Sequence, residues 1–136
     1  MKYRKIGKYK YQLVESEATQ LNADFIDTIA QNDFVILVCG CLMVKEGYAW
    51  DGASGPAIDT LTFLRGSLVH DALYQLMREG LLPKSYRRAA DSLLKDICIE
   101  DGMSRFRACY VYRMVRWFAG SAIKPKKRVY NEILEV

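Results

Sequence analysis

Residues 50–74 read WDGASGPAIDTLTFLRGSLVHDALY, and the change of period within this stretch decides the fold. Its first part, Asp51-Gly52-Ala53-Ser54-Gly55-Pro56, consists of small and turn-forming residues and reads as a loop. From Thr60 onward the spacing is helical, with Phe63, Leu64, Leu68, Leu73, Leu76 and Met77 marking a buried side. Asp59 or Thr60 suits the N-cap, Gly80 suits the end, and Pro83 prevents continuation. His70, the only histidine in the chain, stands in this helix directly beside Asp71.

On the N-terminal side the pattern is that of strands. Residues 8–15 carry Tyr9, Tyr11, Leu13 and Val14 in loose alternation and read as a first strand. Residues 16–33 fit a short helix or an irregular strand equally well. Asn32-Asp33 marks a turn, and the β-branched residues of 34–39 predict a buried strand. Gly40 suits a bulge or a tight turn, and residues 42–45 continue the sheet.

On the C-terminal side Ser85 caps a second helix carrying Ala89, Ala90, Leu93, Leu94, Ile97 and Cys98, closed by Gly102. Ser104 opens a third, with Phe106, Cys109, Tyr110, Met114, Val115, Trp117 and Phe118 before Gly120. The expected fold class is α+β: a small N-terminal antiparallel sheet feeding a three-helix core with an antiparallel helix pair. A chain of 136 residues suits one domain, with a β-region over 1–49, a helical core over 50–120 and a basic extension over 121–136. That extension either docks or orders on a partner.

Hydrophobic content of 51% against 26% charged residues is that of a globular chain and argues against wholesale disorder. The net charge of +4 is unevenly spread: Lys2, Arg4, Lys5, Lys8 and Lys10 crowd the start without an acid. Residues 104–131 hold eight Lys or Arg and no Asp or Glu. Such ends suit phosphate, anionic lipid head groups or an acidic protein, unless they are simply solvated surface. The basic start runs into Tyr9-Lys10-Tyr11-Gln12 rather than an apolar core, so no signal peptide is expected. The longest apolar run, 34–44, is too short to span a bilayer. Cys39 and Cys41 share one side of a strand, while Cys98 and Cys109 lie in separate helical segments. Reduced, partly buried thiols in a cytosolic protein fit this spacing better than a disulfide framework or a four-cysteine zinc site.

Helical spacing places Phe63, Gly66, Ser67, His70, Tyr74 and Met77 near one face, so the imidazole leans over two small residues that leave room for an approaching group. A carboxylate beside a neutral imidazole makes sense if Asp71 binds a hard cation while His70 handles a proton. Asp91 has two placements open to it. It either packs inward to hold the far nitrogen of His70, or sits in an exposed Arg87–Asp91–Lys95 ladder worth a few tenths of a kcal/mol.

Taken in order, Asp51-Gly52-Ala53-Ser54, then Ser67-Leu68-Val69-His70-Asp71-Ala72-Leu73-Tyr74, then Ala90-Asp91-Ser92-Leu93-Leu94 resembles the secreted phospholipase A2 superfamily, above all its small prokaryotic members. The stretch 108–118 is similar to those enzymes' closing helix, so the resemblance covers roughly residues 50–120. Over its whole length the chain also resembles a family of short proteins encoded by tailed phages and prophages. That family is marked by the blocks 47–56 and 69–74 and has no assigned activity.

The superfamily resemblance implies His70 as general base on a water that attacks the sn-2 ester carbonyl. It implies Asp91 as the group orienting the imidazole, and Tyr74 as a hydrogen-bond donor to Asp91. It implies Ca2+ held by Asp71, by the Asp51 carboxylate and by the Gly52 carbonyl. Two departures stand out. The disulfide that ties loop to helix in those enzymes falls here on Ala53 and Ser67, and the strongly glycine-rich calcium loop is missing. The loop must then be held by Trp50, Pro56 and the β-region.

Two functions follow as expectations. One is a calcium-dependent acyl hydrolase acting on a phospholipid membrane surface, with the basic third helix and tail towards anionic lipid. Trp117-Phe118 would then be either interfacial or core. The other is a virion, tail or morphogenesis protein that keeps the scaffold and binds other phage proteins, as an oligomer within an assembly. Both place the chain in the host cytoplasm after synthesis. No recognition motif speaks for nucleic acid as the partner.

Overall fold

The computed structural model describes residues 1–8, 10–52 and 61–124. The loop residues Ala53, Ser54 and Pro56, the caps Asp59 and Thr60, the strand residue Tyr9 and the extension beyond Lys124 lie outside the described residues. The fold is mixed α+β, an N-terminal antiparallel sheet region followed by three helices.

The strands are β1 (Tyr3–Lys5), β2 (Lys10–Leu13), β3 (Glu17–Gln20), β4 (Ile29–Gln31), β5 (Val35–Val38), β6 (Cys41–Val44) and β7 (Ala49–Asp51). They form two sheets, β1-β2-β7 and β3-β6-β5-β4, both antiparallel. Tyr3–Lys5 is a strand that its charge run conceals. The undecided stretch 16–33 resolves into β3, a 3-10 turn at Ala23–Phe25 capped by Asn22, and β4. Cys39-Gly40 is a two-residue turn closing the Val38–Cys41 pair, with φ of 47° and 81°. Both angles are positive, as a type I′ hairpin turn requires. Cys39 is therefore in the turn rather than in the strand expected to extend through it, and both Cys39 and Cys41 are exposed. Strand β5 is not buried throughout either. Val35 and Leu37 face inward, while Phe34 and Val38 at its ends are exposed.

Helix α1 (Leu61–Arg78) is the centre of the molecule. All six residues assigned to its apolar side are buried, and so are Gly66, Ser67, Val69, His70, Ala72 and Tyr74. It is enclosed because the sheets cover one flank and α2 (Arg87–Glu100) the other, sharing one core from Tyr11, Leu13 and Trp50 to Leu93 and Ile97. Gly66 is where α2 comes closest: a Cβ there would stand 2.9 Å from Leu94 Cδ1 and 3.2 Å from Cys98 Sγ. The open space expected over Gly66 and Ser67 is thus filled, by α2 at one residue and by Trp50 at the other.

The second helix is preceded by a 3-10 turn at Lys84–Tyr86, and its N-cap is Tyr86, with no side-chain cap from Ser85. Helix α3 (Arg105–Phe118) does start on Ser104, whose Oγ accepts the Arg107 N–H. It buries fully only Ala108 and Val111, leaving much of its apolar surface outside the core. Among the described residues, no helix is long and apolar enough to cross a membrane.

Candidate active site

Asp91 is the hub. Its position on α2 one turn before the Lys95 position admits either solvent or core, and the packing of α2 on α1 turns it inward, with 0% of its surface exposed. Its Oδ1 accepts from His70 Nε2 at 2.7 Å and from the Tyr74 hydroxyl at 2.5 Å, both from α1 one turn apart. Its Oδ2 accepts from Arg116 Nη1 of α3 at 2.8 Å. Arg87 stands 3.8 Å from the same oxygen and donates its Nε–H to the Tyr74 hydroxyl at 3.0 Å. The exposed-ladder alternative is overturned: Arg87 does pair with Asp91, but inside the molecule.

Burial by itself would raise the Asp91 carboxyl. The hydrogen bonds from His70, Tyr74 and Arg116 outweigh it and hold the group below the usual carboxylate range. An ionised carboxylate only accepts, so the proton between the two side chains belongs to His70 Nε2. In the neutral ring Nδ1 is then the basic atom. The His70 and Tyr74 rings lie 4.1 Å apart, which further fixes the imidazole plane.

His70 and Tyr74 line a cavity of about 390 Å³ together with Tyr48, Trp50, Asp51, Gly52 and Asp71. Lys10 and Arg78 add positive charge to its wall. The cavity exists because β7 lies against α1. Trp50 Nε1–H donates to Ser67 Oγ at 2.9 Å, and the Ser67 hydroxyl donates to the Leu64 carbonyl at 2.8 Å. This buried hydrogen bond ties strand to helix at Ser67, one of the two positions at which this sequence departs from the disulfide of the enzymes it resembles. One residue on, the Asp51 N–H donates to Asp71 Oδ2 at 3.3 Å.

Asp71 tests whether this wall suits a hard cation. Burial pushes its carboxyl up from 3.8 to about 6, against a lowering by the neighbouring His70 and by the Asp51 N–H. No ion pair offsets its charge among the described residues. A partly buried carboxylate without an ion-pair partner among the described residues fits a hard divalent ion. Gly52 is buried at the same wall. The Asp51 carboxylate instead points outward to Lys10, 3.6 Å from its Nζ, and must leave that lysine to act as a ligand. Among the described residues no three His, Cys, Asp or Glu side chains converge, so most oxygens have to be backbone carbonyls or water.

The raised Asp71 group has a consequence for stability. The folded protein holds this proton more tightly than the unfolded chain, so the contribution of Asp71 to stability rises as pH falls from about 6 towards 4 and is least favourable above 7. Asp71→Asn is expected to remove that slope. In chelator-treated protein at pH 8 the variant should be more stable by on the order of 1–3 kcal/mol in urea unfolding, with the gap closing near pH 4. A variant less stable than wild type at pH 8 would show that the Asp71 charge is already compensated.

Of the six residues singled out from sequence, the structure joins His70, Tyr74 and Asp91 in one network and sets Asp51, Gly52 and Asp71 on the adjoining wall. Arg87, Arg116, Tyr48, Lys10 and Arg78 are members that sequence reading missed. Only Arg87 carried a signal, its four-residue spacing from Asp91; Arg116 is 25 residues away and comes from another helix. Compared with protein-family models, with curated proteins and with solved structures, the chain finds no match in any of the three.

Proposed function

We propose that this protein is a phospholipase A2-like acyl hydrolase of phage origin, with His70 as general base. The observation that carries the reading is the 2.7 Å bond between His70 Nε2 and a fully buried, ionised Asp91. That pairing leaves Nδ1 to take a proton from water and later return it to the departing alcohol, while Asp91 stabilises the imidazolium between the two steps. Tyr74 and Arg116 position Asp91 by hydrogen-bonding Oδ1 and Oδ2 respectively. Asp71, the Gly52 carbonyl and, once released from Lys10, Asp51 would hold Ca2+. Calcium held there would supply positive charge to stabilise a developing oxyanion. Lys10 and Arg78 suit the phosphate of a phospholipid in a cavity that also holds the imidazole.

A second reading is favoured by one observation, the Lys10–Asp51 pair on the wall that would hold calcium. In it the chain is a virion or morphogenesis protein that keeps the His–Asp network as structure. Fatty-acid release from phospholipid vesicles, measured with calcium and with chelator, separates the two. Release that stops on chelation and returns with calcium is the expected result. No release from folded protein in either condition would leave the structural reading standing.

A further inference from the structure

Helix α3 presents to solvent the surface that a core helix would hide. Phe106, Cys109, Tyr110, Arg113 and Trp117 recur at three- and four-residue spacing and share its outer face. Phe106 is 88% exposed and Trp117 68%, with Phe118 beside it at 69%. Arg105 and Arg107 flank this face, and neither they nor Arg113 forms an ion pair among the described residues. No acid occurs from Ser104 to Lys124, and Lys126, Lys127 and Arg128 continue the positive run in the sequence.

Aromatic side chains between unpaired arginines match an interfacial helix, in which rings enter the head-group level and guanidinium groups remain at the phosphates. A second copy is a poor occupant for this face. A two-fold contact would set arginines against arginines with no acid to offset them. The C-terminal end of the face adjoins the cavity, since Ala119 and Ala122, directly after Trp117-Phe118, line it beside His70.

We propose that the outer face of α3 docks the protein on a surface of anionic phospholipid. This adds a binding surface to the hydrolase reading and is tested without turnover, so either can fail alone. The molecule carries its own probe. Of its two tryptophans, Trp50 is 2% exposed and bonded to Ser67, so a change in emission reports Trp117. Vesicles of equimolar phosphatidylcholine and phosphatidylglycerol should shift the emission to the blue and co-sediment the protein at low salt, whereas pure phosphatidylcholine should do neither. The combined variant Arg105→Gln, Arg107→Gln, Arg113→Gln should weaken partitioning on the order of a hundredfold. Phe106→Ser with Trp117→Ser should abolish co-sedimentation. All five side chains are exposed, so circular dichroism and the melting temperature should not change.

Wild-type protein that stays in the supernatant with anionic vesicles would overturn the proposal. So would variants that bind as well as wild type. A blue-shifted Trp117 in concentrated lipid-free protein that sediments as a dimer would identify a second copy as the occupant. A shift produced by single-stranded DNA but not by vesicles would identify nucleic acid. Either result excludes lipid from this face.

Discussion

His70→Ala is expected to lower calcium-dependent fatty-acid release by about 10²–10⁴-fold, the range a positioned general base supplies. The loss should fall on kcat, because the imidazole acts on water and the wall formed by Asp71, Gly52 and Lys10 is left in place. The fold should survive. Asp91 keeps the Tyr74 hydroxyl and Arg116, so its charge does not become isolated, and the cost in urea unfolding should be roughly 1–3 kcal/mol. Calcium binding, read by calorimetry, should persist in the variant. Undiminished release by His70→Ala would mean that the base is another group, whatever the fold.

Asp91→Ala should damage both activity and stability, and this contrast separates the roles of the two residues. Removing the carboxylate leaves the buried Nε2–H of His70 and the Tyr74 hydroxyl without their acceptor, and Arg116 without its counter-charge. Breaking a buried charged network in this way costs about 3–5 kcal/mol, a large part of the stability of a domain this size. Arg116 is partly exposed and Arg87 keeps the Val115 and Arg116 carbonyls, which favours the lower end of that range. The effect depends on pH in a defined direction. The Asp91 group is depressed in the folded state, so its stabilisation is present above the ordinary carboxylate range and disappears as pH falls through and below it. Wild type and variant should therefore converge in acid. The midpoint in urea should drop at neutral pH with little change in slope. A loss under about 1 kcal/mol would show that the hub is incidental to folding.

The structural part of Asp91's role was only half legible. Its four-residue spacing from Arg87 is visible in the sequence, but spacing along one helix says nothing about which side meets another helix. The turn of α2 towards α1 is set by the close approach at Gly66, where Leu94 and Cys98 fill the missing side chain's place. Only that packing decides that Asp91 reaches His70.

By itself the sequence determined the period of each segment, the strand-to-helix change after residue 50, the three helices and the juxtaposition of His70 with Asp71. These are local properties, written in which residues recur at two, three or four positions and where glycine and proline interrupt them. It did not determine the split into two sheets, the enclosure of α1, the Trp50–Ser67 bond or the arrival of Arg116 at Asp91. It left Trp117-Phe118 open between an interfacial and a core position, because aromatic residues at helical spacing carry no mark of which side finds a partner. Those features depend on pairings between residues far apart in the chain, where buried area and charge compensation are settled only when the elements pack together.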